Sequence, residues 1–229
     1  MGMKRLVLLV EGDGDVAAAP ILVKRLLHDY DAFDAVFPDP APLRVGEYSK
    51  ISKNDFSEWR RYLAAAVKRK DCGGCILLLD GDSKMKVDGQ PFCAMRAARH
   101  LAAAAKKVGA GSRFSVAIVF ACMEFESWLI AGATSLVGKS FSDGRKVILT
   151  ADTKLPSTPE TAPRDAKGWF RSIVETGYKP ARDQAELTSL VDLDAIRSGK
   201  TRSFRRLESA LGELVSAIRS GDHLVTPTC

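Results

Sequence analysis

Three apolar runs, each leading into acidic residues, constrain this chain more than any other feature. Residues 6–10 run into Glu11-Gly12-Asp13-Gly14-Asp15. Residues 76–79 run into Asp80-Gly81-Asp82, and residues 116–120 run towards Glu124 and Glu126. Runs of this length, rich in Val, Ile and Leu, predict strands buried on both faces of a parallel sheet. Ligands of such sheets sit beyond the carboxyl ends of the strands. Carboxylates gathered at one edge repel each other, and a divalent cation is a physical reason to tolerate that. Oxygen-only ligands favour Mg2+ or Mn2+, as one ion or two.

The segments between these runs carry helical periodicity. An apolar stripe of Val16, Ala19, Leu22, Val23, Leu26 and Leu27 predicts a helix over 16–28, with Pro20 near its start. A second helix fits 55–69, with Trp59, Tyr62, Leu63 and Ala66 inward and Asn54 or Asp55 as its cap. Further helices fit 91–108 and 123–131. Strands fit 5–10, 75–79 and 114–121, with a short one over 43–48 inside the proline-bearing loop 31–49. This alternation predicts an α/β fold: a mostly parallel four-stranded sheet flanked by helices, with right-handed crossovers. Residues 1–149 form the expected metal-binding domain. Residues 150–229 form a helical extension packed on it, entered through a proline-bearing linker (Pro156, Pro159, Pro163), with helices over 165–175, 183–190 and 203–219.

Composition narrows the setting. A hydrophobic share of 46% suits a globular chain that builds its core without disulfides. No apolar run is long enough to span a bilayer, so no membrane association is expected. The stretch after Lys4-Arg5 meets Glu11 too soon for a signal peptide, and Leu6 stands where a myristoylation pattern wants Ser or Thr. A cytoplasmic protein is expected. Cys72-Gly73-Gly74-Cys75 has zinc-knuckle spacing without a second pair or a nearby His, and Cys93, Cys122 and Cys229 read as small apolar residues and a tail. The balance of 34 basic against 28 acidic residues gives +6. Arg197, Lys200, Arg202, Arg205, Arg206 and Arg219 concentrate late in the chain, as a phosphate-attracting cluster or a solvated helix face.

Each acidic cluster has a duller explanation. A helix dipole attracts acids to its N-terminus, which accounts for Asp15 but not for Glu11 at the end of a buried strand. Gly12-Asp13-Gly14-Asp15-Val16-Ala17 mimics a dinucleotide fingerprint, yet a pyrophosphate there would face Glu11, Asp13 and Asp15. Asp80-Gly81-Asp82 could be a strand-ending turn. Paired with Glu11 it reads as a metal site, with Gly81 relaxing the backbone between two carboxylates. Glu124 and Glu126 share a side if extended and diverge by roughly 200° if helical; one of them at least is expected to face solvent beside Trp128. The stretch from Ala133 to Ser140 fits a loose phosphate loop, but it follows a helical segment and is poor in glycine, so it reads as a chance match.

The three clusters together resemble the TOPRIM domain, the Rossmann-like metal-binding fold of topoisomerases, primases and overcoming-lysogenization-defect nucleases. Val10-Glu11-Gly12-Asp13-Gly14-Asp15, followed by small residues and Pro20, looks like the nuclease-type opening, with Asp15 where glutamate is more usual. Leu78-Leu79-Asp80-Gly81-Asp82 matches its DxD element. The whole chain resembles domain-of-unknown-function family 4276: Glu124-Phe125-Glu126-Ser127-Trp128 matches its E-x-E-x-W helix, and Lys167, Tyr178 and Ser203-Phe204 match its C-terminal pattern. The resemblance implies a Mg2+- or Mn2+-dependent nuclease in anti-phage defence, with nucleic acid (DNA ahead of RNA) as substrate and an ATPase as protein partner. Glu11, Asp80 and Asp82 would hold one ion, and Asp15 with Glu124 or Glu126 would assist a second. Lys167 or the arginines near Ser203 would offset charge on a phosphate. The alternatives are a catalytically silent module that docks on a partner, and a nucleotide binder using Gly12 and Gly14.

Overall fold

The computed structural model describes residues 2–150, 153–161, 165–199 and 201–228. Pro163, Lys200 and Cys229 lie outside them, as does part of the expected linker. Three strands with apolar, buried middles form the centre: β1 (Lys4–Val10), β4 (Cys72–Asp80) and β5 (Ser115–Ala121). Shorter strands β2 (Val36–Pro38), β3 (Leu43–Arg44) and β6 (Val225–Thr226) border them. Among the described residues the sheet therefore has six strands, ordered β2-β1-β4-β5-β6, with β3 also pairing β1. All of these pairings are parallel.

Alternation along the strands divides the core into two layers. Leu6, Leu8, Val10, Ile76, Leu78, Ala117 and Val119 face one side. There they meet α1 (Asp13–Asp29) and α9 (Arg202–Ser220). Val7, Leu9, Leu77, Leu79, Ile118 and Phe120 face the other side. They meet α3 (Lys53–Ala66) and α4 (Ala94–Lys106). Trp59 of α3 is fully buried, and its indole N–H donates to the Leu101 carbonyl at 2.9 Å, as a buried indole requires.

The connection from β1 runs over one face to β2 and β3. The connection into β4 runs over the other face. The chain thus changes direction between β1 and β4, which makes the crevice beyond their carboxyl ends the expected binding position of an open α/β sheet. Register brings the ends level: Val10 pairs with Leu78 and Asp80 with Ala121.

Several sequence expectations are corrected. The 31–49 segment is not all loop: β2 forms along the edge, where Pro38 costs no central ladder bond. The strand expected over 43–48 stops at Arg44, and Tyr48 opens the short helix α2 (Tyr48–Ile51). Neither Asn54 nor Asp55 caps a helix; both have left-handed backbone, with Phe56, at a kink inside α3. Helix α1 starts at Asp13, so Pro20 lies within it rather than near its start. The late region holds α6 (Ala166–Ile173), α7 (Pro180–Leu190) and the unforeseen α8 (Leu193–Ser198). The loose phosphate-loop match, 133–140, opens with a 3-10 turn at Ala133–Leu136 and follows the helix α5 (Glu126–Ala131) rather than a strand.

Candidate functional site

Glu11 leaves the end of β1 and crosses to β4, where its Oε2 accepts the Asp80 backbone N–H at 3.0 Å. Asp80 ends β4, and its Oδ1 accepts the Phe125 N–H at 2.9 Å. One carboxylate thus ties β1 to β4, and the next ties β4 to the turn after β5. Asp15, in the first turn of α1, accepts from Gly12 N–H at 2.9 Å and from the Gln184 amide at 2.7 Å.

Glu124 and Glu126 both turn inward, contrary to the expectation that one faces solvent. Glu124 precedes α5 and Glu126 opens it, so the two do not follow a single helical or extended period. Glu126 is only 1% exposed, and its Oε1 accepts the Tyr178 hydroxyl at 2.9 Å. Glu124 Oε2 is buried and has no hydrogen-bond partner among the described residues. A buried carboxylate oxygen without a donor is costly and is explained by a water, a ligand or an ion at that position.

Lys167, on α6, is the residue on which these acids converge. Its Nζ lies 3.1 Å from Glu124 Oε1, 3.6 Å from Glu126 Oε2 and 3.7 Å from Asp80 Oδ2. Asp165 sets the start of α6 by accepting the Gly168 N–H at 2.7 Å. Glu11, Asp80 and Lys167 line two adjoining cavities. One, of about 560 Å³, adds Asp82, Glu124 and Glu47. The other, of about 330 Å³, adds Asp15, Glu126 and Gln184.

Burial dominates the electrostatics. It pushes the Glu11 carboxyl up to about 7, with Asp15, Asp82 and Glu47 adding to the rise and the Asp80 N–H opposing it. Burial also raises Asp15, Asp80 and Glu126, Asp80 most strongly. For Lys167, burial opposes the charge, but Glu126, Asp80 and Glu124 outweigh it and the ammonium is held above its ordinary range. Lys167 is therefore the built-in counter-ion of the cluster.

The Glu11 shift has a definite sign for stability. Its folded-state value of about 7 lies above its ordinary 4.5, so the folded chain binds the proton more tightly. Its contribution is fully present below 4.5 and is lost as pH rises through about 7. Chemical denaturation at several pH values, without divalent ions, should show Glu11→Gln gaining on the wild type across this window. Parallel curves would contradict the assigned environment.

Asp82 is exposed and joins the others only as part of the cavity wall. The Gly81 N–H donates to both Ala121 and Met123 carbonyls, and a Cβ there would stand 2.7 Å from the Ala121 carbonyl oxygen. Gly81 thus allows close approach to β5, and the exposed Asp82 follows it at the cavity rim. Gly12 and Gly14 serve α1: the Gly12 N–H is taken by Asp15, and a Cβ on Gly14 would collide with Gln184 and Pro180 of α7.

Among the described residues, the late arginines Arg197, Arg202, Arg205, Arg206 and Arg219 do not line the acidic crevice. Arg197 pairs with Asp29, Asp194 and Glu208, Arg206 with Glu213, and Arg219 with Asp34. Arg202 and Arg206 border a separate cavity beside Ser203. Gln184 and Glu47 carried no sequence signal, because a single amide in a helix and a single acid in a loop resemble any surface residue. Tyr178 was marked by the family resemblance alone.

The donors are all carboxylate oxygens, which suits a hard divalent cation. Among the described residues, no group of three or more His, Cys, Asp or Glu side chains stands ready-made around one ion position. The crevice fits a cation in donor chemistry and in its orphaned Glu124 oxygen, with Lys167 now carrying the compensating charge. No curated protein matches the chain. The sequence pattern of the family described as Domain of unknown function (DUF4276) matches residues 10–212. The acidic strand ends, the Glu124–Glu126 turn and Lys167 all fall within that match, and the chain belongs to this family.

Proposed function

We propose that the protein is a Mg2+- or Mn2+-dependent phosphodiesterase that cuts nucleic acid, DNA before RNA. The observation that supports this most is the convergence of Asp80, Glu124 and Glu126 on Lys167, with Glu11 held beside them on the Asp80 N–H, at the position where the sheet changes direction. Glu11, Asp80, Asp82 and Glu124 line the larger cavity and would hold the ion there. Asp15 and Glu126 have oxygens engaged by Gln184 and Tyr178, and these shape the pocket from behind. A divalent ion held there would supply an acidified water and offset charge on the phosphate oxygens. In the alternative assignment Asp80, Asp82 and Glu124 hold the ion, and Glu11, raised to about 7 in the ion-free site, is left to take a proton from an attacking water or return one to the leaving oxygen. Lys167 is placed to face a phosphate once one enters. Lys84 and Lys50 border the adjoining cavities and offer it an electrostatic approach. The family resemblance extends this proposal to anti-phage defence with an ATPase partner in the cytoplasm.

The test is direct. Purified protein is incubated with supercoiled plasmid, single-stranded DNA and RNA, each with Mg2+, Mn2+ or chelator. Cleavage that requires the ion and is abolished in Glu11→Gln is expected. Cleavage that persists in chelator would overturn the assignment.

One observation favours a second reading. Lys167 already offsets part of the cluster's charge, so the module could be catalytically silent and act by docking on a partner. Calorimetry separates the two: no heat of divalent-ion binding at millimolar concentration, alone or with the partner, supports the silent module.

A further inference from the structure

The Cys72-Gly73-Gly74-Cys75 motif lies at the opposite end of β4 from the acidic crevice. Its geometry departs from a regular strand. Residues three apart on a flat strand point to opposite faces, about 10 Å apart along the chain, which no disulfide can span. Here Cys75 is buried in the layer facing α3 and α4, and Cys72 packs on that same layer. Between them the ladder slips: Arg5 pairs with Cys72, but Leu6 pairs with Gly74, leaving Gly73 as an extra residue.

The glycines show the same irregularity independently. A Cβ on Gly73 would point towards Lys4 and Ile218, and one on Gly74 towards Ser115 and Leu214. Ile218 and Leu214 both belong to α9, so two consecutive positions face the same layer. That is a β-bulge, and it restores the two cysteines to one side. A side chain at Gly73 would come within 2.6 Å of Lys4 Cβ, so the bulge depends on glycine there.

We propose that Cys72 and Cys75 are an oxidisable dithiol that reacts with small disulfides and closes into an intramolecular disulfide across the bulge. Cys72 is half-buried and Cys75 wholly buried, so Cys72 is the sulfur an outside disulfide can reach. The Cys75 thiol hydrogen bond holds Cys72 below the usual thiol range, with Arg5 contributing positive charge. The same bond, reinforced by burial, pushes Cys75 well up. The reaction balances in two exchanges. The Cys72 thiolate attacks one sulfur of the small disulfide, forming a mixed disulfide and releasing one thiolate. Cys75 then loses its proton and attacks Cys72 sulfur, releasing the second small thiol. Both protein thiols are oxidised and the small disulfide is reduced to two thiols.

The native full chain is treated with oxidised glutathione, alkylated and digested with trypsin. Cleavage after Lys70 and Lys84 leaves both cysteines on one peptide that holds no other cysteine. This peptide is expected unalkylated, free of glutathione and lighter by the two thiol hydrogens, and it reverts with dithiothreitol. Exposed Cys93 should carry only glutathione. In Cys75→Ala, Cys72 should accumulate as the mixed disulfide; in Cys72→Ala, Cys75 should stay free. A wild-type peptide with both thiols alkylated, or with glutathione retained on Cys72, overturns the proposal whether or not the variants fold.

Discussion

Asp80→Asn should lower ion-dependent cleavage by about 100- to 1,000-fold, the usual loss when one charge-stabilising group leaves an active site. The same substitution should leave thermal stability in chelator unchanged or raised. Asparagine keeps the shape and can still accept the Phe125 N–H through its oxygen. It removes a carboxylate whose charge is disfavoured by burial and then by Asp15. Opposite movements of activity and stability are the signature of a group retained for function at a cost to the fold. Paired cleavage assays and melting curves measure both. Undiminished cleavage by a well-folded Asp80→Asn protein would remove Asp80 from the mechanism.

Lys167→Met should produce the largest loss of stability. Methionine fills similar space but leaves Asp80, Glu124 and Glu126 without the ammonium that faces them. Removing one partner from a largely buried charge cluster costs about 3–5 kcal/mol. For a chain of this size that lowers the melting temperature on the order of 10 °C. The deficit should shrink at acid pH, because the carboxylates can then take up protons and no longer need the cation. Added Mg2+ should restore part of the lost stability if the crevice accepts an ion. Calorimetric melting with and without Mg2+ measures this, and absence of restoration would favour the silent-module reading.

The central strands were legible because burial on both faces demands uninterrupted apolar residues, and β1, β4 and β5 supply them. Glu11 and Asp80 were legible for the same reason, as charges directly ending such strands. Of the short strands only β3 was foreshadowed, since β2 contains a proline and β6 pairs only Val225 and Thr226 with β5. The orientation of Glu124 and Glu126 lay beyond sequence periodicity, because it is set where one element stops and another begins. Asp82 looked equivalent to Asp80, but it is exposed at the cavity rim whereas Asp80 is tied to the Phe125 N–H. The contribution of Gln184 depends on α7 lying against α1, a contact between distant segments that no local pattern encodes.

The placement of Lys167 also bears on biosynthesis. The carboxylates it serves are translated well before it, so a growing chain carries the acids of the crevice while their counter-charge is still inside the ribosome. Mutual repulsion then discourages early closure of the pocket, and α9, which covers part of the same sheet, emerges later still.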